Sequence, residues 1–98
     1  MVIFFDVDGT ICTQKYKDTY EQAKPIAKNI KKVNSLYDKG IKIIIWTARG
    51  TTTGINWKEL TEKQLKEWGV KYHELRMNKP YYDMFICDKA ISSEVFFK

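Results

Sequence analysis

The chain has 98 residues, 44% of them hydrophobic and 30% charged, the balance of one soluble globular domain spanning 1–98. No apolar run approaches the length that spans a bilayer, and the N-terminal MVIFFDVDGT has neither the basic lead nor the cleavage site of a secretory leader. The net charge of +5 comes from lysines such as Lys28, Lys31, Lys32, Lys63 and Lys66, which fall where helix surfaces are expected. That is the pattern of a solvated face. No basic cluster with interleaved aromatics marks a nucleic-acid site. Two cysteines, Cys12 and Cys87, lack the paired spacing of a zinc site and suit a reduced, cytoplasmic protein.

Residues 2–7, VIFFDV, form an apolar run broken by an acid, as a strand buried on both faces reads. Gly9 then allows a sharp turn. Residues 10–23 show no period. From Pro25 to Lys39 the apolar residues Ile26, Ile30, Val33 and Tyr37 recur at helical steps, with Gly40 as the stop. Residues 41–46, IKIIIW, are a second buried strand, followed by a loop containing Gly50, three threonines and Gly54. A second helix is expected from Trp57 to Trp68, closed by Gly69, and a short strand over 70–75. Asn78-Lys79-Pro80 breaks the pattern, and MFIC at 84–87 reads as a further strand. The apolar tail should pack back on the body.

This alternation predicts an α/β fold: a three-layer, Rossmann-like parallel sheet with helices on both faces. In such folds ligands bind beyond the carboxyl ends of the strands. Reactive residues occur at those ends here. The first strand delivers Asp6 and Asp8, followed by Gly9 and Thr10. The second delivers Thr47 and Arg49, the last delivers Asp88, and Lys79 comes from the loop before it. Each alone is an ordinary turn, cap or surface residue. Asp6 and Asp8 are the sharpest signal, because residues two apart on an extended chain point the same way. Their carboxylates repel, and a divalent cation such as magnesium would offset that.

DVDGT resembles the first motif, DxDx[TV], of the haloacid-dehalogenase superfamily. Thr47 in IKIIIWTAR matches the second motif, Lys79 in NKP the third, and CDKA at 87–90 part of the fourth, in the right order across nearly the whole chain. Within the superfamily the chain is similar to the small capsule-biosynthesis-type phosphatases, through WTAR, VKYHEL, NKPYYD and ICDKAI. The resemblance implies a magnesium-dependent phosphatase. Asp6 would be the nucleophile, Asp8 the general acid and base, and Thr47 and Lys79 the phosphoryl-binding groups. Magnesium would be held by Asp6, by the Asp8 carbonyl and by Asp88, with Arg49 and Thr10 on the substrate side. Relatives carry two adjacent acids where this chain has Cys87 and Asp88, and a thiolate is a poor magnesium ligand. Asp83 is a candidate substitute, but it precedes the strand and is expected at its far end.

The segments after DVDGT and after Thr47 are too short for a cap domain. The site is therefore expected to be open, or shielded by a partner subunit in a homo-oligomer. It would take a phosphorylated sugar, nucleotide or similar metabolite, with a nucleic-acid end less favoured. Tyr16, Tyr20, Trp57 and the 50–56 loop could face substrate, although packing is the better reading for aromatics. His73 and Cys12 read as structural. Two other classes compete. A phospho-acceptor receiver domain would need its acceptor Asp where Thr47 stands. A non-catalytic domain that binds phosphorylated ligands or a protein partner is favoured by Cys87.

Overall fold

The computed structural model describes residues 1–13 and 20–98. Tyr16 lies outside the described residues. The elements are β1 (Val2–Phe5), a 3-10 turn (Tyr20–Gln22), α1 (Ala27–Asp38), β2 (Lys42–Trp46), α2 (Lys58–Glu67), β3 (Glu74–Arg76) and α3 (Ser93–Phe96). The three strands form one parallel sheet in the order β1-β2-β3. The fold is α/β, as the alternation of strand and helix predicts.

Register follows the apolar pattern. Ile3 pairs with Ile43 and Phe5 with Ile45, while Ile45 pairs with Leu75. These residues share one face, because side chains alternate along a strand. They join Val7, Ile30, Val33, Leu65, Val70 and Phe97 in a single core cluster. Both α1 (Ile30, Val33) and α2 (Leu65) thus bury their apolar stripes against the same sheet face. The order 1-2-3 explains this: successive right-handed crossovers that step in one direction place their helices on one side. The other face carries Val2, Phe4, Ile44 and Trp46, and of these Val2 and Phe4 remain exposed. Helices on both faces were expected; among the described residues α1 and α2 cover only one.

Boundaries agree with the predicted elements to within a few residues, and Pro25 lies just ahead of α1. The expected strand at 84–87 is not formed. From Met77 to Ser92 the described chain is irregular, and every residue from Pro80 to Ser92 is exposed. The tail does return: Phe97 is buried, 6.0 Å from Phe5 between ring centroids. His73 is structural, as expected. Its Nδ1 accepts from the Ile43 amide at 3.0 Å, and its ring stacks on Tyr37.

Gly50 shapes the loop after β2. Its φ is +80°, and a Cβ there would collide with the carbonyl oxygen of Ile55. Gly50→Ala therefore combines left-handed strain with a backbone clash. A loss of about 1–3 kcal/mol is expected, visible in a thermal melt as a Tm lowered by roughly 5–20 °C.

Candidate active site

The carboxyl ends of β1 and β2 carry the site. Past Phe5 the chain turns on Gly9, whose φ is +79°. The amides of Thr10, Ile11 and Cys12 all point back at the Val7 carbonyl, at 3.0–3.3 Å. That turn fixes Asp6 and Asp8 side by side. Val7 donates to Asp6 Oδ1 at 2.8 Å, and Lys79 Nζ lies 3.5 Å from Asp6 Oδ2. Lys79 is brought there by its own backbone, since its amide donates to the Thr47 carbonyl at 3.0 Å. Just before it, Asn78 adopts a φ of 64°, a left-handed conformation that asparagine tolerates better than most residues. Lys79 Nζ also lies 5.9 Å from the Trp46 ring centroid and 5.6 Å from that of Tyr82.

The Asp6 side chain is partly buried, 39% exposed. Burial raises its pKa above the ordinary aspartate value. The positive charge of Lys79 and the Val7 amide oppose that rise, and the negative charge of Asp8 adds to it.

Arg49 is 2% exposed, not the surface side chain that an arginine in a loop suggests. Its Nε donates to Asp8 Oδ2 at 2.9 Å and its Nη2 to Asp8 Oδ1 at 2.8 Å, a two-point fork. Nη1 donates to Thr61 Oγ1 at 3.1 Å and to Gln64 Oε1 at 2.6 Å, and Nη2 also approaches Cys12 Sγ at 3.8 Å. Burial opposes the guanidinium charge, but the hydrogen bonds and charge of Asp8 more than offset this and hold its pKa above the usual arginine value. All five N–H donors are committed inside the protein. The expectation that Arg49 reaches substrate is therefore corrected: its partner is Asp8.

Thr61 and Gln64 were not anticipated as site residues. The signal was present in the sequence, as two polar side chains beside Leu65 on the inward face of α2. Thr61 Oγ1 donates to the Trp57 carbonyl and Gln64 Nε2 to the Tyr20 carbonyl. Tyr20 lies 4.7 Å under the guanidinium and packs edge-on to Trp57, so these aromatics cover Arg49, in line with the packing reading.

Thr47 is buried, its Oγ1 accepting from the Arg49 amide at 3.1 Å. Thr10 is also buried, and its carbonyl accepts from Asn29 Nδ2 at 2.7 Å. Cys12 donates its thiol to the Val7 carbonyl and to Asp8 Oδ1, each at 3.5 Å. Burial first, then the charge of Asp8, pushes its pKa up to about 12, so it is an inert thiol.

Asp88 stands apart. It is exposed, and Cys87 donates its thiol to Asp88 Oδ1 at 3.7 Å. Asp83 is also exposed and outside any strand. Among the described residues no three His, Cys, Asp or Glu side chains gather where a metal could be held. Both Asp8 oxygens face Arg49, which leaves Asp6 as the one carboxylate at this edge without a fork. The Asp6, Asp8 and Asp88 side chains do not form such a group, and the segment that leads to Asp88 is not in the sheet.

The sequence profile of the haloacid dehalogenase-like hydrolases matches residues 3–72. The chain belongs to that family, and its size is that of a member without a cap. No curated protein matches its sequence. Among solved structures, the fold is similar to that of a target protein from Vibrio cholerae, with a TM-score of 0.88 and 24% identity over 98% of this chain and 86% of that one. It is similar to a chain of the Pnkp1/Rnl/Hen1 complex, at TM-score 0.63 and 24% identity over 99% of this chain and 33% of that one. It is also similar to the D,D-heptose 1,7-bisphosphate phosphatase of B. bronchiseptica, solved with magnesium and phosphate, at TM-score 0.59 and 15% identity over 90% of this chain and 55% of that one. No helix among the described residues is long and apolar enough to cross a membrane.

The raised pKa of Asp6 has a consequence for stability. A carboxyl whose folded pKa lies above its unfolded value destabilises the fold while ionised, and the penalty fades as pH falls through that folded pKa. Asp6→Asn should therefore raise Tm at pH 7, by an amount that solvent screening keeps small because the carboxyl is 39% exposed. Melts of both proteins across acidic pH should show the gain shrinking as Asp6 protonates.

Proposed function

We propose that the chain is a phosphomonoester hydrolase that works through an aspartyl-phosphate on Asp6. The observation that carries this reading is Asp6 at the carboxyl end of β1, facing Lys79 at 3.5 Å. A carboxylate beside a lysine, at the sheet edge where α/β folds bind ligands, suits attack on an anionic phosphoryl group.

In the proposed reaction an Asp6 oxygen forms a bond to phosphorus as the bond to the leaving oxygen breaks. The leaving oxygen takes a proton from Asp8. Water then attacks the phosphorus, gives its proton to Asp8, and the bond to Asp6 breaks, which releases phosphate and restores both aspartates. In this reading Lys79 offsets the phosphoryl charge and the Thr47 hydroxyl, whose oxygen accepts from the Arg49 amide, donates its proton to a phosphoryl oxygen. Asp8 needs a fixed orientation for both transfers, which the Arg49 fork supplies. Its acid step requires a proton on an oxygen that accepts from Arg49, so one contact of the fork must loosen. Arg49 is accordingly a positioning residue.

Magnesium is the expected cofactor of the family's chemistry, and the heptose bisphosphate phosphatase structure was solved with it. Asp6 and the Asp8 carbonyl would hold it in one copy, where it would offset charge at the phosphoryl group. The substrate class is a phosphorylated sugar, nucleotide or similar metabolite. A phosphorylated nucleic-acid end is the variant suggested by the likeness to a chain of an RNA repair complex. A cytoplasmic setting fits the two free thiols, Cys12 and Cys87. The second reading, a domain that binds phosphorylated ligands without turnover, is favoured by Cys87 and by the absence, among the described residues, of three acidic side chains gathered for a metal.

The test is phosphate release from an aryl phosphate, sugar phosphates, nucleotides and a phosphorylated oligonucleotide, with magnesium and with chelator. Turnover that requires magnesium and vanishes in Asp6→Asn is expected. Binding of a phosphate analogue by folded protein with no turnover on any substrate would favour the second reading. The acid limb of kcat/KM should fall with a midpoint above the ordinary aspartate value of about 4, since Asp6 must be ionised to attack. Arg49→Lys, which loses the fork, should lower kcat by about 10–100-fold, the scale of a lost supporting contact at a reacting group. KM should change little; a KM effect alone would mean that Arg49 binds substrate.

A further inference from the structure

Residues 80–92 form an arm anchored at both ends. At one end the Lys79 amide bonds to Thr47 and the Lys79 carbonyl accepts from Thr51 Oγ1 at 2.8 Å. At the other, Ser93 Oγ donates to the Gly9 carbonyl at 3.1 Å, and Phe97 packs on Phe5. Between these anchors the chain is exposed throughout, although MFIC at 84–87 has the composition of a buried strand. Phe85 is 57% and Ile86 88% exposed. Apolar exposure of that kind marks a surface that another protein covers.

A matching vacancy lies in the sheet. β1 pairs with β2 on one side, and its other edge is open among the described residues, flanked by Val2 and Phe4, which is 46% exposed. An open edge is a template for one more strand. Asp6 follows directly at its carboxyl end.

The arm cannot fill that vacancy in parallel within its own copy. Lys79 is already at the carboxyl end of the sheet, so the chain would have to run to the amino end and reverse before 84. Only residues 80–83 are available, and four residues span at most about 14 Å when fully extended. That is the length of the strand itself, with nothing left for the reversal. Counted from the end of β3 at Arg76, the connection is residues 77–83, far below the dozen or so residues of a parallel crossover. An antiparallel placement could be reached but would carry Asp88 away from Asp6.

We propose that two copies exchange these arms. Residues 84–87 of each copy add a fourth, parallel strand to the free edge of β1 in the other, and the partner's Asp88 completes the acidic site at Asp6. The exchange is isologous, so each copy gives and receives one strand and no edge is left to propagate. It accounts together for the open edge of β1, the exposed apolar arm, the short connection and the missing third acid. The role given to Asp88 rests on the phosphatase reading; the exchange does not.

Sedimentation equilibrium of the full chain should give twice its 11.6 kDa mass. Phe85→Pro, which removes one ladder amide from the exposed arm, should give a monomer with unchanged far-UV circular dichroism. Calorimetric titration should show magnesium bound by the dimer and not by Phe85→Pro. A monomeric wild type, or a dimer that survives Phe85→Pro, would overturn the exchange. Asp6→Asn and Asp88→Asn, each inactive alone, should recover about a quarter of wild-type turnover when unfolded together and refolded, because half the dimers are mixed and each of those holds one intact site. Mixed dimers without recovery would overturn the placement of Asp88. A dimer lost in Phe85→Pro but inactive on every substrate would uphold the exchange and remove the phosphatase reading instead.

Discussion

The site is organised around the fork between Arg49 and Asp8. A buried guanidinium is tolerated only where its donors are satisfied and its charge is met. Here Asp8 meets the charge, and Thr61, Gln64 and Cys12 take the remaining contacts. One side chain thereby ties the turn after β1, the loop after β2 and the inner face of α2 to each other. The three segments come from distant parts of the chain, and the fork and its companion contacts join them. Asp8, in turn, is held in one plane beside Asp6.

That arrangement separates the two aspartates by environment. Asp8 has a full positive partner in direct contact, while Asp6 faces Lys79 at a longer 3.5 Å. Two like charges at one edge would otherwise repel. Each has its own cation, one in a two-point fork and one at a longer distance. In the proposed reaction that difference suits Asp8 to proton transfer and Asp6 to attack, and a lysine suits the second position because its ammonium is a compact point charge on a flexible stem.

Topology explains what the fold leaves unfinished. A sheet ordered β1-β2-β3 puts both crossover helices on one face and leaves β1 at an edge. The strand that bears Asp6 is thus also the strand with an unused side. In a chain this short the connection after β3 contains no helix, so the remaining strand-like segment cannot come round to that side in parallel. The exposed MFIC segment and the isolated Asp88 follow from the same shortage of residues.

Much of this was legible in the sequence. The apolar runs VIFF and KIIIW, the helical spacing of Ile26, Ile30 and Val33, and the glycine stops each depend on local geometry, so β1, β2, α1 and α2 fall where their periods place them. Asp6, Asp8, Thr47 and Lys79 could be put at one edge because parallel strands all end on the same side. Other features depended on tertiary structure. A polar side chain's partner is not encoded by its neighbours, so Arg49 read as a surface residue until α2 brought Thr61 and Gln64 beneath it. MFIC has the composition of a strand, but composition cannot say whether an edge is within reach. Connection length and sheet order decide that, and here they leave 84–87 exposed and outside the sheet.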